Sequence, residues 1–338
     1  MLRDDGSGSK TSSRSGGMPE SEPAEKLGAV RIGTCAFTAA GWPGAFYPAG
    51  LQPRDFLAYY ATQFDSVEVD STFYHSPPAR TVEGWRLKTQ DDFIFAAKVP
   101  QIVTHEKCLR DCDKEFREFV SVMEILGPKL GPMLLQFPYF NQSDFESCDD
   151  FYLVLIPFLK KLPREHRFAL EIRNKQWLDA RFADTLREYN VALALQDQSW
   201  MPTPTQMKFD YVTADFTYVR LLGDRKGIEQ QTKVWDKVIV ERAKEIWHWV
   251  DVCATTVRRG AATYVYVNNH FAGHAPTTVR EFQRLWNAKG MPELGRPQPL
   301  PPPADASAGA DAPAQPSRAK AARAMGAPDT SKQPTLFD

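Results

Sequence analysis

The chain has 338 residues, of which 43% are hydrophobic and 25% charged, and its formal net charge is −1. This composition is typical of a globular protein with a large core, and the near-zero charge argues against general electrostatic binding to nucleic acid, although it leaves room for a local basic groove. Every apolar run is shorter than the roughly 20 residues that a membrane span requires, which argues against a transmembrane protein.

The N-terminal segment differs from the rest of the chain. Its first 27 residues are rich in Ser, Gly, Glu and Lys and lack the apolar stretch of a secretion signal. We therefore predict a disordered leader over residues 1–27.

The five cysteines form no CxxC pair, and their odd number is poor material for a disulfide framework. Together these features favour a cytoplasmic protein.

Eight apolar runs follow, each with the length and residue types of a β-strand. In chain order they are VRIGTCAF (30–37), SVEVDSTFY (66–74), FIFAAKVP (93–100), PMLLQFP (132–138), RFALEIR (167–173), VALALQD (191–197), FTYVRLLG (216–223) and TYVYVNNH (263–270). Helices are predicted over residues 53–63, 80–90, 112–126, 149–160, 179–189, 234–260 and 275–288. Strands that alternate with helices imply parallel pairing, so eight such units predict an α/β fold, a single-domain (β/α)8 TIM-type barrel over residues 28–290.

Six of these runs carry polar residues near their C-terminal ends, in the phase opposite to their large hydrophobic residues. The polar residues are Glu68, Asp70, Lys98, Gln136, Glu171, Arg173, Arg220 and Asn268. Because successive side chains of a strand face opposite sides, a barrel would direct this whole set inward at one rim. Chemistry in this fold takes place at the C-terminal ends of the strands, so the set predicts an active-site mouth.

The charged members of the set suggest acid–base chemistry on an anionic substrate. The catalytic candidates are Glu68, Lys98, Glu171, Arg173 and Arg220, with Glu171 or Glu68 as the acid or base. Arginine binds carboxylates and phosphates through its planar fork, and a partly desolvated glutamate can have its pKa raised to that of a working base. A hydrolase or an isomerase-like enzyme would fit. The candidates for substrate binding are Asp70, Tyr74, His105, Gln136, Asp197, Asn268, Asn269 and His274.

Other interpretations stay open at this stage. The inward charges could form a buried salt-bridge network that only fixes the barrel, since such networks perturb pKa values without catalysing anything. Carboxylates with His105, His270 or His274 could bind a divalent metal, but three cations in the same layer oppose it. No metal ligand is therefore assigned, and the cofactor stays unknown, with a divalent metal as an open alternative. Backbone amides around Gly223 and Gly273 could form a phosphate cradle.

The chain resembles the Domain of Unknown Function 72 family of bacteria and archaea in a series of blocks. The blocks are IGT (32–34), FYP (46–48), VEVDSTFY (67–74), TH (104–105), LGPKLGPMLLQFP (126–138), EIRNKQW (171–177), YVRLLG (218–223) and VNNHFAGHAP (267–276). The resemblance implies a TIM-type barrel but no reaction, because the family has no established activity. Where the family often has Asn, His and His, this chain has Asp70, Asn174 and Leu222, so a family histidine at position 222 could not act here.

The C-terminal segment turns to Pro and Ala, and its composition predicts a disordered tail over residues 291–338. Near its end, residues 333–337 resemble the short peptide by which bacterial DNA polymerases and repair proteins bind the sliding clamp. Leu336 and Phe337 would enter an apolar pocket while Gln333 forms a hydrogen bond at its edge. Pro334 departs from the leucine usual at that position.

The predicted partners follow from the mouth and the tail. The mouth would take a small anionic substrate or nucleic acid, and the tail would bind the clamp and make the substrate DNA-associated. The alternative to an enzyme is a non-catalytic binding module that its tail recruits to the clamp, with the inward charges as a structural network.

Overall fold

The structure, a computed structural model, describes Met1, residues 27–292 and Leu294. Apart from a few residues at their edges, the predicted leader and tail lie outside the described residues, and so do Gln333, Leu336 and Phe337 of the clamp-binding peptide. The limits of both segments therefore stay predictions. Within the described residues, no helix combines the length and apolar character needed to cross a membrane.

Eight parallel strands form a nearly closed barrel, which confirms the predicted TIM-type fold. The strands are β1 Val30–Thr34, β2 Ser66–Val69, β3 Ile94–Lys98, β4 Leu130–Gln136, β5 Phe168–Glu171, β6 Val191–Asp197, β7 Phe216–Leu221 and β8 Ala262–Val267. Their order in the sheet is β1-β8-β7-β6-β5-β4-β3-β2. All eight lie within the predicted apolar runs apart from the first residues of β4 and β8, so the strand prediction is correct in number and order.

Helices occupy all seven predicted stretches and two further ones in the described part of the chain. They are α1 Phe56–Gln63, α2 Ala79–Leu87, α3 Asp113–Met123, α4 Cys148–Leu159, α5 Ala180–Glu188, α6 Arg225–Glu229, α7 Ala243–Arg258, α8 Asn269–Ala272 and α9 Ala275–Ala288. Short 3-10 helices cover Pro53–Asp55, Asp70–Phe73, Glu124–Lys129, Lys175–Trp177 and Pro204–Gln206, and a π-helix covers Ile102–Glu106.

The largest difference from the predicted helices is the start of α7, which begins at Ala243 instead of position 234. The amides of the preceding segment bond to other loops: Trp235 N donates to Ala40 O at 2.8 Å, and Ile239 N donates to Ala272 O at 2.7 Å. A residue inside an α-helix would instead donate to the carbonyl four residues earlier. The segment therefore joins the loops after β1 and β8, a tertiary role that the local pattern does not encode.

The inside of the barrel combines small and large side chains. Ala96, Ala169 and Ala194 belong to the same buried cluster as Tyr218 and Tyr266. Interiors are packed to high density, so small residues on some strands leave the space that long side chains from others fill. The alanines of β3, β5 and β6 thus make room for large side chains from β7 and β8.

One junction of the barrel depends on side chains. No backbone ladder joins β1 to β2 in the described residues, whereas the other seven junctions each have one. At this β1–β2 junction the Tyr60 hydroxyl accepts a hydrogen bond from Thr34 N at 2.9 Å and donates one to Ser66 O at 3.1 Å. The hydroxyl therefore takes the place of a rung of the ladder.

A carboxylate reinforces the same junction. Asp65 Oδ1 accepts from Ile32 N at 3.3 Å, and Asp65 Oδ2 accepts from Arg31 Nη1 at 3.1 Å. Gly33 lies so close to β2 that a Cβ atom there would fall 1.8 Å from Ser66 O. Glycine is thus required for the approach of the two strands.

Candidate functional site

Arg220 of β7 is the centre of a buried ion network. Its Nη1 donates to Glu171 Oε2 at 2.7 Å, and its Nη2 and Nε donate to Glu68 Oε1 at 2.7 and 3.2 Å. The exposed fraction of each of these three side chains is 3% or less. One guanidinium thus connects β7 to β2 on one side and to β5 on the other, with the planar geometry that suits carboxylates.

Glu68 is fully paired inside the barrel. Its Oε2 accepts a hydrogen bond from the Tyr218 hydroxyl at 2.6 Å, and Arg220 occupies its other oxygen. Burial raises the pKa of Glu68 above its usual range, although Arg220 opposes this shift. Loss of water around the carboxylate therefore outweighs the attraction of its arginine.

Glu171 differs from Glu68 in its electrostatics. Its Oε1 lies 3.3 Å from Arg173 Nη2, and its Oε2 accepts from Arg220. Burial works against ionisation of Glu171, but Arg220 and Arg173 together hold its pKa below the usual range. The two buried glutamates therefore have pKa values pushed in opposite directions, an arrangement that is common where carboxylates take different roles.

Lys98 lies beside this network and is linked to it through Asp70. Its Nζ is 3.9 Å from the centre of the Phe73 ring and 4.0 Å from Asp70 Oδ1. Only 9% of Lys98 is exposed, and within the described residues its Nζ makes no hydrogen bond. Burial lowers the pKa of Lys98; Asp70 opposes that shift and Arg220 adds to it.

His105 completes the mouth on the side of β3. Its ring meets Phe73 edge-on at 4.9 Å between centroids. Burial, then Lys98 and Arg173, lower the pKa of His105 to about 3. A neutral imidazole at neutral pH is the consequence.

The loop that carries His105 has an unusual backbone. It begins as a π-helix, and three residues that follow, Cys108, Leu109 and Asp111, have positive φ angles of 46°, 67° and 47°. Non-glycine residues pay about 1–3 kcal/mol each for such conformations, which persist only where the surroundings impose them. Strain of this kind and π-helical turns are both frequent at functional sites.

Most of the predicted catalytic and substrate-binding residues lie in or next to one cluster, which we name the mouth cluster. Its members are Glu68, Asp70, Lys98, His105, Glu171, Arg173 and Arg220. Gln136 is paired in register with Glu171 and donates to Phe137 O at 2.6 Å. Tyr74 is about half exposed and packs edge-on against Phe73.

The structure does not bring Asp197 into the mouth cluster. Its Oδ2 accepts from Trp249 Nε1 on α7 at 2.6 Å, so its side chain faces the helix layer. The residue of β6 in register with Arg220 is Gln196, whose Oε1 is buried with no hydrogen-bond partner in the described residues. Side chains of a strand alternate between its two faces, so an inward Ala194 identifies Gln196 as the next inward residue of β6. By the same rule, Tyr218 and Arg220 of β7 both face inward.

Three further candidates are used in local caps of the rim. Asn268 caps α8 by accepting from His270 N at 3.0 Å. Asn269 Oδ1 accepts from Trp42 Nε1 at 3.2 Å and from Ala275 N at 2.9 Å. His274 is the N-cap of α9, with its Nδ1 2.7 Å from the hydroxyl of Thr277. These side chains shape the loops after β8 and lie outside the mouth cluster.

The expected phosphate cradle is not available. Gly223 N donates to Asp197 O at 2.9 Å, and Gly273 N donates to Asn269 O at 2.7 Å. Both amides are therefore already satisfied by backbone carbonyls. The presence of these glycines is explained by their positive φ angles, 69° and 111°, and by close neighbours: a Cβ atom would lie 2.5 Å from Phe271 Cα at Gly223 and 2.7 Å from Lys237 O at Gly273.

The mouth cluster does not fit a divalent metal. Both oxygens of Glu68 and both oxygens of Glu171 are directed at hydrogen-bond donors. A metal would need those lone pairs and would meet three neighbouring cations. In the described part of the chain, the atoms that approach closely enough to hold an ion belong to Glu124, Glu165 and His166, before the start of β5, where the two glutamates are exposed.

The sequence matches one family of proteins over most of its length. The model of the family described as "Protein of unknown function DUF72" matches residues 31–304. The UPF0759 protein YecE of Escherichia coli (strain K12) is 35% identical over 122 residues, 36% of this chain and 42% of that protein. The UPF0759 protein YunF of Bacillus subtilis (strain 168) is 29% identical over 150 residues, 42% of this chain and 51% of that protein. The chain thus spans about half or less of the curated relatives it matches.

Solved structures of similar proteins have the same fold. A DUF72 family protein from Thermotoga maritima MSB8 has a TM-score of 0.59 at 26% identity, over 77% of this chain and 99% of that chain. A DUF72 family protein from Enterococcus faecalis V583 has a TM-score of 0.56 at 20% identity, over 78% of this chain and 99% of that chain. At 20% identity the second likeness shows the fold alone.

Proposed function

The chain belongs to the DUF72 family of proteins of unknown function, and from that premise we propose that it is an enzyme that acts on an anionic substrate by acid–base chemistry at the C-terminal end of its barrel. The observation that carries the proposal is the pair of cations at the mouth. Lys98 and Arg173 are 11% and 19% exposed in their side chains, while the three members of the network beside them are closed to solvent.

Arg173 is the group that would bind the anion. It contacts Glu171 through Nη2 and Nε, at 3.3 and 3.4 Å, and its Nη1 makes no hydrogen bond within the described residues. A carboxylate or phosphate that met Nη1 would gain a charge-assisted hydrogen bond in a partly dry site, where such bonds are strongest. Glu171 holds the guanidinium in place for that contact.

Lys98 and Asp70 are the groups that would move a proton. Asp70 is 33% exposed in its side chain and lies at the opening, 4.0 Å from Lys98 Nζ and 3.4 Å from Arg220 Nη2. A lysine whose pKa burial lowers is a stronger candidate for a base near neutral pH than an exposed one. Glu68 and Glu171 are 0% exposed, so in this proposal they position Arg220 and do not touch substrate.

The competing function is a binding module without catalysis. The complete burial of Glu68, Glu171 and Arg220 favours it, because a closed network can fix a barrel without meeting any ligand. The partial exposure of Lys98 and Arg173 favours the enzyme.

A binding and turnover experiment separates these functions. We would screen small phosphates and carboxylates for an increase in melting temperature of the full chain. We expect the increase to be lost in Arg173→Gln and kept in Lys175→Gln, an exposed cation two residues further on. The bound compounds would then be followed by NMR for conversion. Conversion that stops in Lys98→Met supports an enzyme, binding without conversion supports the module, and a screen without any ligand contradicts both.

The tail suggests where the protein works. We propose that Gln333, Leu336 and Phe337 bind the bacterial sliding clamp, an assignment that depends on the sequence motif alone. The test compares the full chain with one that ends at Lys332. Micromolar binding that disappears on truncation supports a DNA-associated substrate; equal binding, or none, by both chains overturns the assignment.

A further inference from the structure

Two lysines are buried in the part of the chain that the structure describes, and they differ in the hydrogen bonds of their Nζ atoms. Lys129 is 5% exposed, and its Nζ donates to the backbone carbonyls of Arg86 and Thr89 at 2.7 and 2.8 Å. Lys98 is 9% exposed, yet its Nζ has no hydrogen-bond acceptor within the described residues. An ammonium group has three donors, which Lys129 uses on backbone carbonyls and Lys98 leaves directed to the mouth, where its side chain is 11% exposed. Lys129 therefore has the contacts of a structural lysine and Lys98 does not.

The other cations of the mouth cluster make the contrast sharper. Arg220 and Arg173 both donate to buried carboxylates. Lys98 instead has the face of the Phe73 ring at 3.9 Å and one carboxylate, Asp70, just beyond hydrogen-bond distance. The aromatic face excludes part of the water around the amine, as in lysines that act as nucleophiles, and the carboxylate that pairs with Lys98 is near enough to take a proton from it.

We propose that the amine of Lys98 is a nucleophile that forms an imine with the carbonyl carbon of the substrate. The substrate class is then an aldehyde or ketone that also bears a carboxylate or phosphate. This inference deepens the proposed function and rests on it for the anionic group, which Arg173 would bind. Burial favours the neutral, nucleophilic form of the amine; Asp70 opposes this shift, and Arg220 adds to it.

The step balances without any further reactant. Asp70 takes a proton from the Lys98 ammonium, and the freed electron pair forms a bond to the carbonyl carbon while the carbon–oxygen π bond breaks. The oxygen takes up that proton and then a second one from nitrogen, and leaves as water. The products are a protonated imine with one hydrogen on nitrogen and one water molecule, so the total charge is unchanged. No electrons are lost or gained, and no oxidant or reductant is needed.

Reductive trapping tests the imine directly. The full chain would be incubated with glyceraldehyde 3-phosphate, and separately with the uncharged glycolaldehyde, then reduced with borohydride, digested and examined by mass spectrometry. We expect a reduced adduct on Lys98 that forms before those on exposed lysines, needs borohydride, and is lost in Lys98→Arg. Lys129 serves as the buried lysine that should stay unmodified. Adducts confined to exposed lysines in the wild type, with both probes, would overturn the inference without reference to any variant.

A third compound separates this inference from the proposed function. Glycerol 3-phosphate has the same anionic group and no carbonyl, so it can bind Arg173 but cannot form an imine. If it raises the melting temperature through Arg173 while Lys98 is never trapped, the imine is wrong and the anion site stands. If Lys98 is trapped equally by both probes and in Arg173→Gln, the imine stands and the anion site is wrong. Failure of both measurements overturns both proposals.

Discussion

Tyr218 donates a hydrogen bond of 2.6 Å to Glu68 across the interior of the barrel, from β7 to β2. The contact satisfies the one oxygen of Glu68 that Arg220 does not reach. A carboxylate can remain in so dry a place only when its oxygens are paired. The phenol is therefore a structural requirement of the charge network, although the sequence pattern predicts only an ordinary core residue for a tyrosine in an apolar strand.

Replacing that phenol should weaken the fold. Tyr218→Phe leaves a buried oxygen of Glu68 unpaired, so we expect the free energy of unfolding to fall by about 1–3 kcal/mol. Urea unfolding at pH 7 measures the change. Tyr139→Phe is the control: Tyr139 is 52% exposed, and its substitution should stay within about 0.5 kcal/mol of the wild type. Equal effects of the two changes would contradict the assigned hydrogen bond.

Removal of the central cation, Arg220, should lower the free energy of unfolding by more than removal of the Tyr218 hydroxyl. Arg220→Met leaves Glu68 and Glu171 as buried carboxylates without their partner, and breaking such a network typically costs about 3–5 kcal/mol. Unfolding in guanidinium chloride would measure this loss of stability. Arg284→Met is the control, because Arg284 forms an exposed ion pair with Glu281. Adding Glu68→Gln and Glu171→Gln to Arg220→Met should recover part of the loss. A loss no larger than that of the control would show that the network does not stabilise the barrel.

The histidine of the mouth should make stability depend on pH. The pKa of His105 is about 3 in the folded protein against an ordinary value of 6.5, so the unfolded chain binds its proton first as the pH falls. Stability from this residue is complete above pH 6.5 and decreases as the pH drops toward 3. In unfolding measurements between pH 7 and 5, His105→Gln should lose less stability than the wild type. The exposed His75 provides the control, and a slope in His105→Gln as steep as in His75→Gln would refute the assignment.

The β1–β2 junction provides a further prediction. Tyr60→Phe removes the hydroxyl that pairs with Thr34 N and Ser66 O, so we expect a loss of about 1–3 kcal/mol in the free energy of unfolding. Tyr59→Phe, one residue earlier in the same helix, is the matched control because no hydrogen bond of its hydroxyl is found within the described residues. Thermal unfolding of the two variants side by side would decide. If Tyr60→Phe is as stable as Tyr59→Phe, backbone contacts close this junction without the Tyr60 hydroxyl.

The barrel was predictable because its strands repeat a simple rule. Alternation of apolar and polar residues placed Glu68, Glu171 and Arg220 on one inner face, and the structure joins all three. Strand phase is a local property that survives folding, since a one-residue slip would turn the core face to solvent. The same rule, applied strictly to β6, selects Gln196 in place of Asp197.

The depth at which each charged side chain lies within the barrel was not predictable from the sequence. Glu68 and Lys98 have the same phase, but Glu68 is in register with Ala96, so Lys98 lies two residues nearer the ends of the strands. Cover differs as well: Glu68 is closed off under Arg220 and Tyr218, whereas Lys98 stays partly open. The difference depends on how far a long side chain from β7 reaches across a space that alanines on other strands leave free. Such reach is set by tertiary packing, and no single segment encodes it.

The side-chain closure between β1 and β2 also gives the barrel a line of weakness at a defined place. In the described residues, parting any other neighbouring pair of strands breaks a backbone ladder, whereas this junction has no ladder and is closed by side chains that include Tyr60 and Asp65. Because β2 carries Glu68 and leads directly into Asp70, the junction without a ladder borders the strand that places two of the carboxylates bound to Arg220.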